Sequence, residues 1–133
     1  MRRLIMLAVT TAALALPVAA FAANSDTGFT LPQGANTSRA FRIHVGQTGR
    51  VRVTFRFSNV VNPNGRFRIT IRKLSWTTPV VMLDTQNRSR CQGAAGSTYC
   101  YAARTEDPGT YIVRVIKLTV KAAPVELKMS WPS

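Results

Sequence analysis

The strongest constraint on this chain is a pair of stretches in which apolar and basic residues alternate: Val51-Arg52-Val53-Thr54-Phe55-Arg56-Phe57 and Arg66-Phe67-Arg68-Ile69-Thr70-Ile71-Arg72. In a strand, successive side chains point to opposite faces, so a period of two sorts residues onto two sides. Val51, Val53, Phe55 and Phe57 share one side of the first stretch, as Phe67, Ile69 and Ile71 do on the second. The other sides carry Arg50, Arg52 and Arg56, then Arg66, Arg68 and Arg72. Each strand therefore buries a greasy face and holds guanidinium groups in water. Between them lies Asn62-Pro63-Asn64-Gly65, a strong turn signal because Asn and Gly tolerate positive φ. If the two strands pair as a hairpin, six arginines share one exposed sheet surface. If they belong to opposite sheets, the charge divides between two outer faces.

The rest of the chain is equally strand-like. Phe41-Arg42-Ile43-His44-Val45 alternates, followed by a Gly46-Gln47-Thr48-Gly49 turn. Val80-Val81-Met82-Leu83 is a short apolar run, too β-branched and too short for a helix. Asp84 to Ala95 is polar and basic and reads as a surface loop. Thr98 to Ala103, Thr110 to Ile116 and Val125 to Trp131 complete the set, with Glu106-Asp107-Pro108-Gly109 as a turn. Trp131 alternates with core positions, and Tyr111 with Val113 and Val115, so both are expected inside. Seven or eight short strands without an amphipathic helix predict an all-β fold, an antiparallel β-sandwich with jelly-roll or Greek-key connections.

The start of the chain has a different character. Met1-Arg2-Arg3 is basic, Leu4 to Leu16 is uncharged and apolar, and Pro17 leads to Ala20-Phe21-Ala22. That order describes a secretory signal peptide, expected as a helix over residues 1–22. The apolar core is shorter than the roughly 20 residues of a spanning helix, so no transmembrane segment is expected in the mature chain. No cysteine follows the cleavage site, so a lipid anchor is not expected. Residues 23–38 read as an extended lead-in and 39–133 as the single sandwich domain. Export places the protein in the periplasm or outside the cell. There, Cys91 and Cys100, the only cysteines, are expected to form a disulfide. Closing so short a loop contributes about 2–3 kcal/mol.

The stretch from Phe41 to Trp131 resembles the bacterial pre-peptidase C-terminal domain, a secreted jelly-roll-like sandwich. Val45-Gly46-Gln47-Thr48-Gly49 precedes an alternating strand, a second alternating strand follows a polar turn, and Pro108-Gly109-Thr110-Tyr111-Ile112-Val113-Arg114-Val115 is similar to that family's Gly-x-Tyr-x-Val-x-Val strand. The resemblance implies an accessory or adhesive role. The chain departs from the pattern at Gly65-Arg66-Phe67-Arg68, where the family has aspartates. Calcium takes six to eight oxygens. With only Asp26, Asp84, Glu106, Asp107 and Glu126 available, and scattered, no metal or other cofactor is expected.

Charge narrows the function. The formal charge of +13 falls to +11 once Arg2 and Arg3 leave with the signal peptide, which attracts polyanions. Each guanidinium presents a planar fork that fits phosphate or carboxylate. Arg50, Arg52, Arg56, Arg66, Arg68 and Arg72 are the expected anion-binding residues. The expected partners are anionic envelope polymers or lipid headgroups, with nucleic acid a less favoured polyanion. Catalysis is not expected: His44, the sole histidine, sits on the polar side of its strand, and no nucleophile elbow or phosphate loop occurs. Two other readings stay open, a protein-binding accessory or inhibitor of a secreted enzyme and, more remotely, a carbohydrate-binding module using Trp76, Tyr99 and Tyr101.

Overall fold

A computed structural model describes residues 22–133, so the expected signal peptide, apart from Ala22, lies outside the described residues. The described chain is built from nine strands in two antiparallel sheets: β1 (Ala22–Leu31), β2 (Thr37–Val45), β3 (Gly49–Ser58), β4 (Phe67–Lys73), β5 (Val80–Asp84), β6 (Cys91–Ala94), β7 (Ser97–Glu106), β8 (Gly109–Lys117) and β9 (Ala123–Pro132). One sheet has the order β1-β9-β3-β7-β6, the other β2-β8-β4-β5. The pairing nests from the outside inward, β1 with β9, β2 with β8 and β3 with β7, as a jelly roll does.

Two strands exceed the sequence expectation. Ala22–Leu31, most of which was expected as a lead-in, pairs along its whole length with β9 and buries Phe29 and Leu31. Its small polar residues hide the alternation that the hydrophobic strands display. The stretch after Asp84, read as a loop, holds a 3-10 turn at Arg88–Arg90 and then β6. Cys91 stands directly opposite Cys100 in the β6–β7 ladder, and the expected disulfide joins them, S–S 2.04 Å.

The core is the product of the period-two pattern. Val51, Val53, Phe55 and Phe57 look inward from one sheet, and Phe67, Ile69 and Ile71 from the other. The Phe67 ring lies 5.0 Å from that of Phe55 and 4.9 Å from that of Phe57. β3 and β4 therefore face each other through their aromatic rings and do not pair as a hairpin. The connection between them turns without any residue at positive φ. Its Asn62 is buried and donates from Nδ2 to the Ala122 carbonyl at 3.3 Å, tying the crossover to the other end of the chain. Trp131 packs against the core and Tyr111 is fully buried, its hydroxyl donating to the Asp107 carbonyl at 2.6 Å.

Close approach explains the Gly46–Gly49 turn. A Cβ on Gly46 would lie 2.4 Å from the carbonyl carbon of Ser133, and one on Gly49 would lie 2.5 Å from Pro132. The end of β9 runs directly over this turn, and Gly46 N–H donates to the Pro132 carbonyl.

Lys117 closes the opposite end. It is fully buried, and its ammonium donates to three carbonyls, those of Gly34 (2.6 Å), Thr119 (2.6 Å) and Val120 (2.9 Å). Burial pushes its pKa below the usual lysine value, while the three acceptors hold the charged form in place. Lys117→Met is expected to strand these carbonyls and lower stability by about 2–3 kcal/mol, measured by urea unfolding.

Candidate anion-binding faces

The sandwich sends the two arginine rows in opposite directions. Arg50, Arg52 and Arg56 project from β3 on the outer face of the five-stranded sheet. Arg68 and Arg72 project from β4 on the outer face of the four-stranded sheet, with Arg66 just ahead of them. The single six-arginine surface that a hairpin would create is therefore absent. The physical reason is the aromatic packing of β3 on β4, which requires their polar sides to point apart.

Each face has its own chemistry. On the four-stranded sheet, cross-strand rows read Ser38–Ile116–Arg68–Asp84, Ala40–Arg114–Thr70–Val81, Arg42–Ile112–Arg72 and His44–Thr110. Arg42, Arg68, Arg72 and Arg114 thus alternate with small and apolar groups. Arg42 and Arg114 were not among the expected anion-binding residues. Their outward parity beside Ile43 and Val113 was readable, but their neighbourhood with β4 depends on β8 lying between the sheet's first and third strands. Asp84 is the one carboxylate on this face among the described residues. Arg66 Nη2 lies 3.1 Å and Arg68 Nη2 3.5 Å from its Oδ2. Arg72 donates to the Trp76 carbonyl at 3.1 Å, and Arg114 to the Ser38 hydroxyl at 3.0 Å. Arg42 has no side-chain partner among the described residues.

On the five-stranded sheet the rows read Gln92–Tyr99–Arg56–Glu126–Gly28, then Tyr101–Thr54–Lys128–Asp26, then Ala103–Arg52–Ser130–Asn24. Arg56 donates to Glu126 Oε2 at 2.8 Å and lies 5.9 Å from the Tyr99 ring centroid. Lys128 lies between Glu126 (3.5 Å) and Asp26 (4.0 Å). Arg50 and Arg52 have no side-chain partner among the described residues. Tyr99 and Tyr101 are 40% and 46% exposed. Trp76, the third aromatic expected at a sugar platform, instead meets Tyr111 edge-on at 5.8 Å and packs against the core. A buried partner competes for its ring, and this removes it from any exposed platform.

His44 is exposed, its Nδ1 3.3 Å from the Thr110 hydroxyl. Among the described residues no three of His, Cys, Asp and Glu gather as a metal site would require, and no helix is long and apolar enough to cross a membrane. Glu106, 4% exposed at the end of the sandwich, pairs with Arg104, whose guanidinium stacks 5.9 Å over Trp76. Glu106 is the buried member of that pair, while Arg104 is exposed.

No protein-family model and no curated protein matches the sequence. In fold, the chain is similar to the pre-peptidase C-terminal domain of a collagenase from Bacillus anthracis, with a TM-score of 0.56, 13% identity and coverage of 78% of this chain and 86% of that one. It is also similar to a family 35 carbohydrate binding module from an environmental isolate, with a TM-score of 0.50, 13% identity and coverage of 77% and 74%. A family 35 carbohydrate binding module from Clostridium thermocellum gives a TM-score of 0.48 at 15% identity, covering 81% and 90%. The resemblance read from the strand order is thus met in three dimensions, as a shared fold.

Asp84 also sets a pH dependence. Hydrogen bonding from Arg66 holds its carboxyl below the usual carboxylate range against the opposing push of burial, helped by the Gln86 N–H and the charges of Arg66 and Arg68. A depressed folded pKa gives stability that is present above the ordinary aspartate value, about 4, and lost as pH falls through the lowered one. Arg66→Ala is expected to lower stability modestly at pH 7, since the pair is solvent-screened. In urea unfolding the difference from wild type should shrink as pH falls through the lowered Asp84 pKa.

Proposed function

We propose that the protein is an exported, non-catalytic binding module that engages anionic polymers or lipid headgroups of the cell envelope through outward arginines. The observation that carries this reading is the outer face of the four-stranded sheet. It sets Arg42, Arg68, Arg72 and Arg114 around apolar Ile112 and Ile116, with Asp84 as its one carboxylate among the described residues. Such a face offers many donors and few acceptors, the inverse of a phosphate-bearing surface, and an incoming anion relieves repulsion between neighbouring guanidinium groups. The partners of Arg68 and Arg72 hold them in place without filling all the donors of each fork. The reading is supported by the fold shared with a domain of a collagenase and with a module named for carbohydrate binding. Of the six arginines expected from sequence, Arg66, Arg68 and Arg72 belong to this face, whereas Arg50, Arg52 and Arg56 serve the other.

A protein partner is the second reading, favoured by one observation. Val60, Val61 and Val120 stand 74%, 40% and 59% exposed on loops at one end of the sandwich, and an accessory or inhibitor would cover such an apolar tip.

The deciding experiment is binding of the oxidised mature protein to lipopolysaccharide, anionic vesicles and duplex DNA across a salt series. Affinity should fall steeply with salt. Replacing Arg42, Arg72 and Arg114 together by alanine should reduce the logarithmic salt slope on DNA by roughly 2–3. Affinity that ignores both salt and these arginines would overturn the proposal and turn attention to a protein partner.

A further inference from the structure

The five-stranded face is not a second copy of the basic face. Three depressions lie on it. One, of about 540 Å³, is bordered by Ser89, Arg90, Gln92, Tyr99 and Tyr101 and reaches Thr54. Another, of about 390 Å³, begins at Thr54 and continues past Arg52 and Lys128 to Asp26 and Asn24. Thr54 belongs to both, so the two join into a trough that crosses the strands from β6 to β1. A third, of about 330 Å³, adjoins it where Gly28 leaves a gap beside Arg56 and Glu126. Four strand-to-strand steps make the trough about 19 Å long.

Resting on the anion-binding reading above, we propose that this trough binds an acidic polysaccharide of the uronate class, lying across the strands. Tyr99 and Tyr101 project from β7 on one side of the trough with their rings partly exposed, and a rigid aromatic plane gives the apolar face of a sugar ring a contact at low entropic cost. Free guanidinium groups mark its two halves. Arg90 lies by the tyrosines and Arg52 by Lys128, and neither has a side-chain partner among the described residues. Each can take a carboxylate in a forked pair. Along the trough Thr54, Ser130, Gln92 and Asn24 both donate and accept hydrogen bonds.

The carboxylates decide between a sugar and a phosphate chain. Asp26 and Glu126 belong to this face, and they would repel a densely charged polyphosphate. A polyhydroxylated ring needs acceptors as well as donors, and these two supply them. Glu126, beside the trough, pairs with Arg56 and Lys128, and Asp26 lies 4.0 Å from Lys128. The four-stranded face, with a single carboxylate among the described residues, lacks that balance. Charge spacing therefore favours one anionic group per sugar ring here and a denser anion there.

Polygalacturonate, its methyl ester and inorganic polyphosphate distinguish the cases by titration calorimetry. Replacing Tyr99 and Tyr101 together by alanine should weaken polygalacturonate binding roughly tenfold and leave polyphosphate unchanged. The Tyr99→Phe, Tyr101→Phe pair should keep most of the affinity, which separates stacking from loss of fold. Arg52→Ala with Arg90→Ala should weaken polygalacturonate, and the uncharged ester should bind poorly to every variant. The proposal is overturned if the alanine pair leaves polygalacturonate binding intact, if both polyanions weaken in parallel, or if the ester binds as well as the acid. Polyphosphate binding without polygalacturonate binding sinks the trough alone. Binding of neither sinks the broader anion reading with it.

Discussion

Everything in this molecule depends on the contact of Phe67 with Phe55 and Phe57 across the middle of the sandwich. Consecutive alternating strands have two ways to bury their apolar sides: pair in one sheet over a third layer, or face each other from two sheets. The described residues form strands and one 3-10 turn, so no third layer is present among them. The rings therefore become the two inner walls of one core. The sheets stand about 10 Å apart, and the outward guanidinium groups are farther apart still, beyond the Debye length of about 8 Å at physiological salt. A row of like charges that would destabilise a hairpin is split in two by the same packing that forms the core.

That split gives the protein two surfaces of different composition. β3 lies between β9 and β7, so its arginines meet Glu126, Lys128, Tyr99 and Tyr101. β4 lies between β8 and β5, so its arginines meet Ile112, Ile116 and Asp84. The partner strands, more than the arginines themselves, determine what each face can hold. Mixed donors, acceptors and rings suit a sugar chain that carries charge sparsely. A nearly pure donor face with apolar spacers suits a dense anion or a headgroup layer.

Much of the fold is legible in the residues. Period-two alternation marks the inward and outward sides of β3, β4 and β9, and all three follow it. Cys91 and Cys100 are joined, and the Gly-x-x-Gly turn is where the strand order put it. What the sequence hides has physical causes. β1 is polar enough to pass as a lead-in because one face meets water and much of its other face is small Ala, Ser and Thr. β6 is four residues long, and its Gly and Ala carry no hydrophobic period. The Asn64-Gly65 turn signal is genuine, yet a turn does not say whether the next strand pairs or crosses. That choice rests on Phe67 finding Phe55 and Phe57, a contact between layers. The binding faces inherit the same limit, since Arg42, Arg114, Tyr99 and Lys128 join them through strands distant in sequence.

Whether the two outer faces bind different anions can be read from an amide NMR titration of the uniformly labelled protein. A short polyphosphate and a short oligogalacturonate would be added in separate experiments. Polyphosphate should shift amides around Arg42, Arg68, Arg72 and Arg114, and the oligogalacturonate those around Arg52, Thr54, Tyr99, Tyr101 and Lys128. Shifts on one common face for both ligands, or shifts confined to the loop end at Val60 and Val120, would contradict this division.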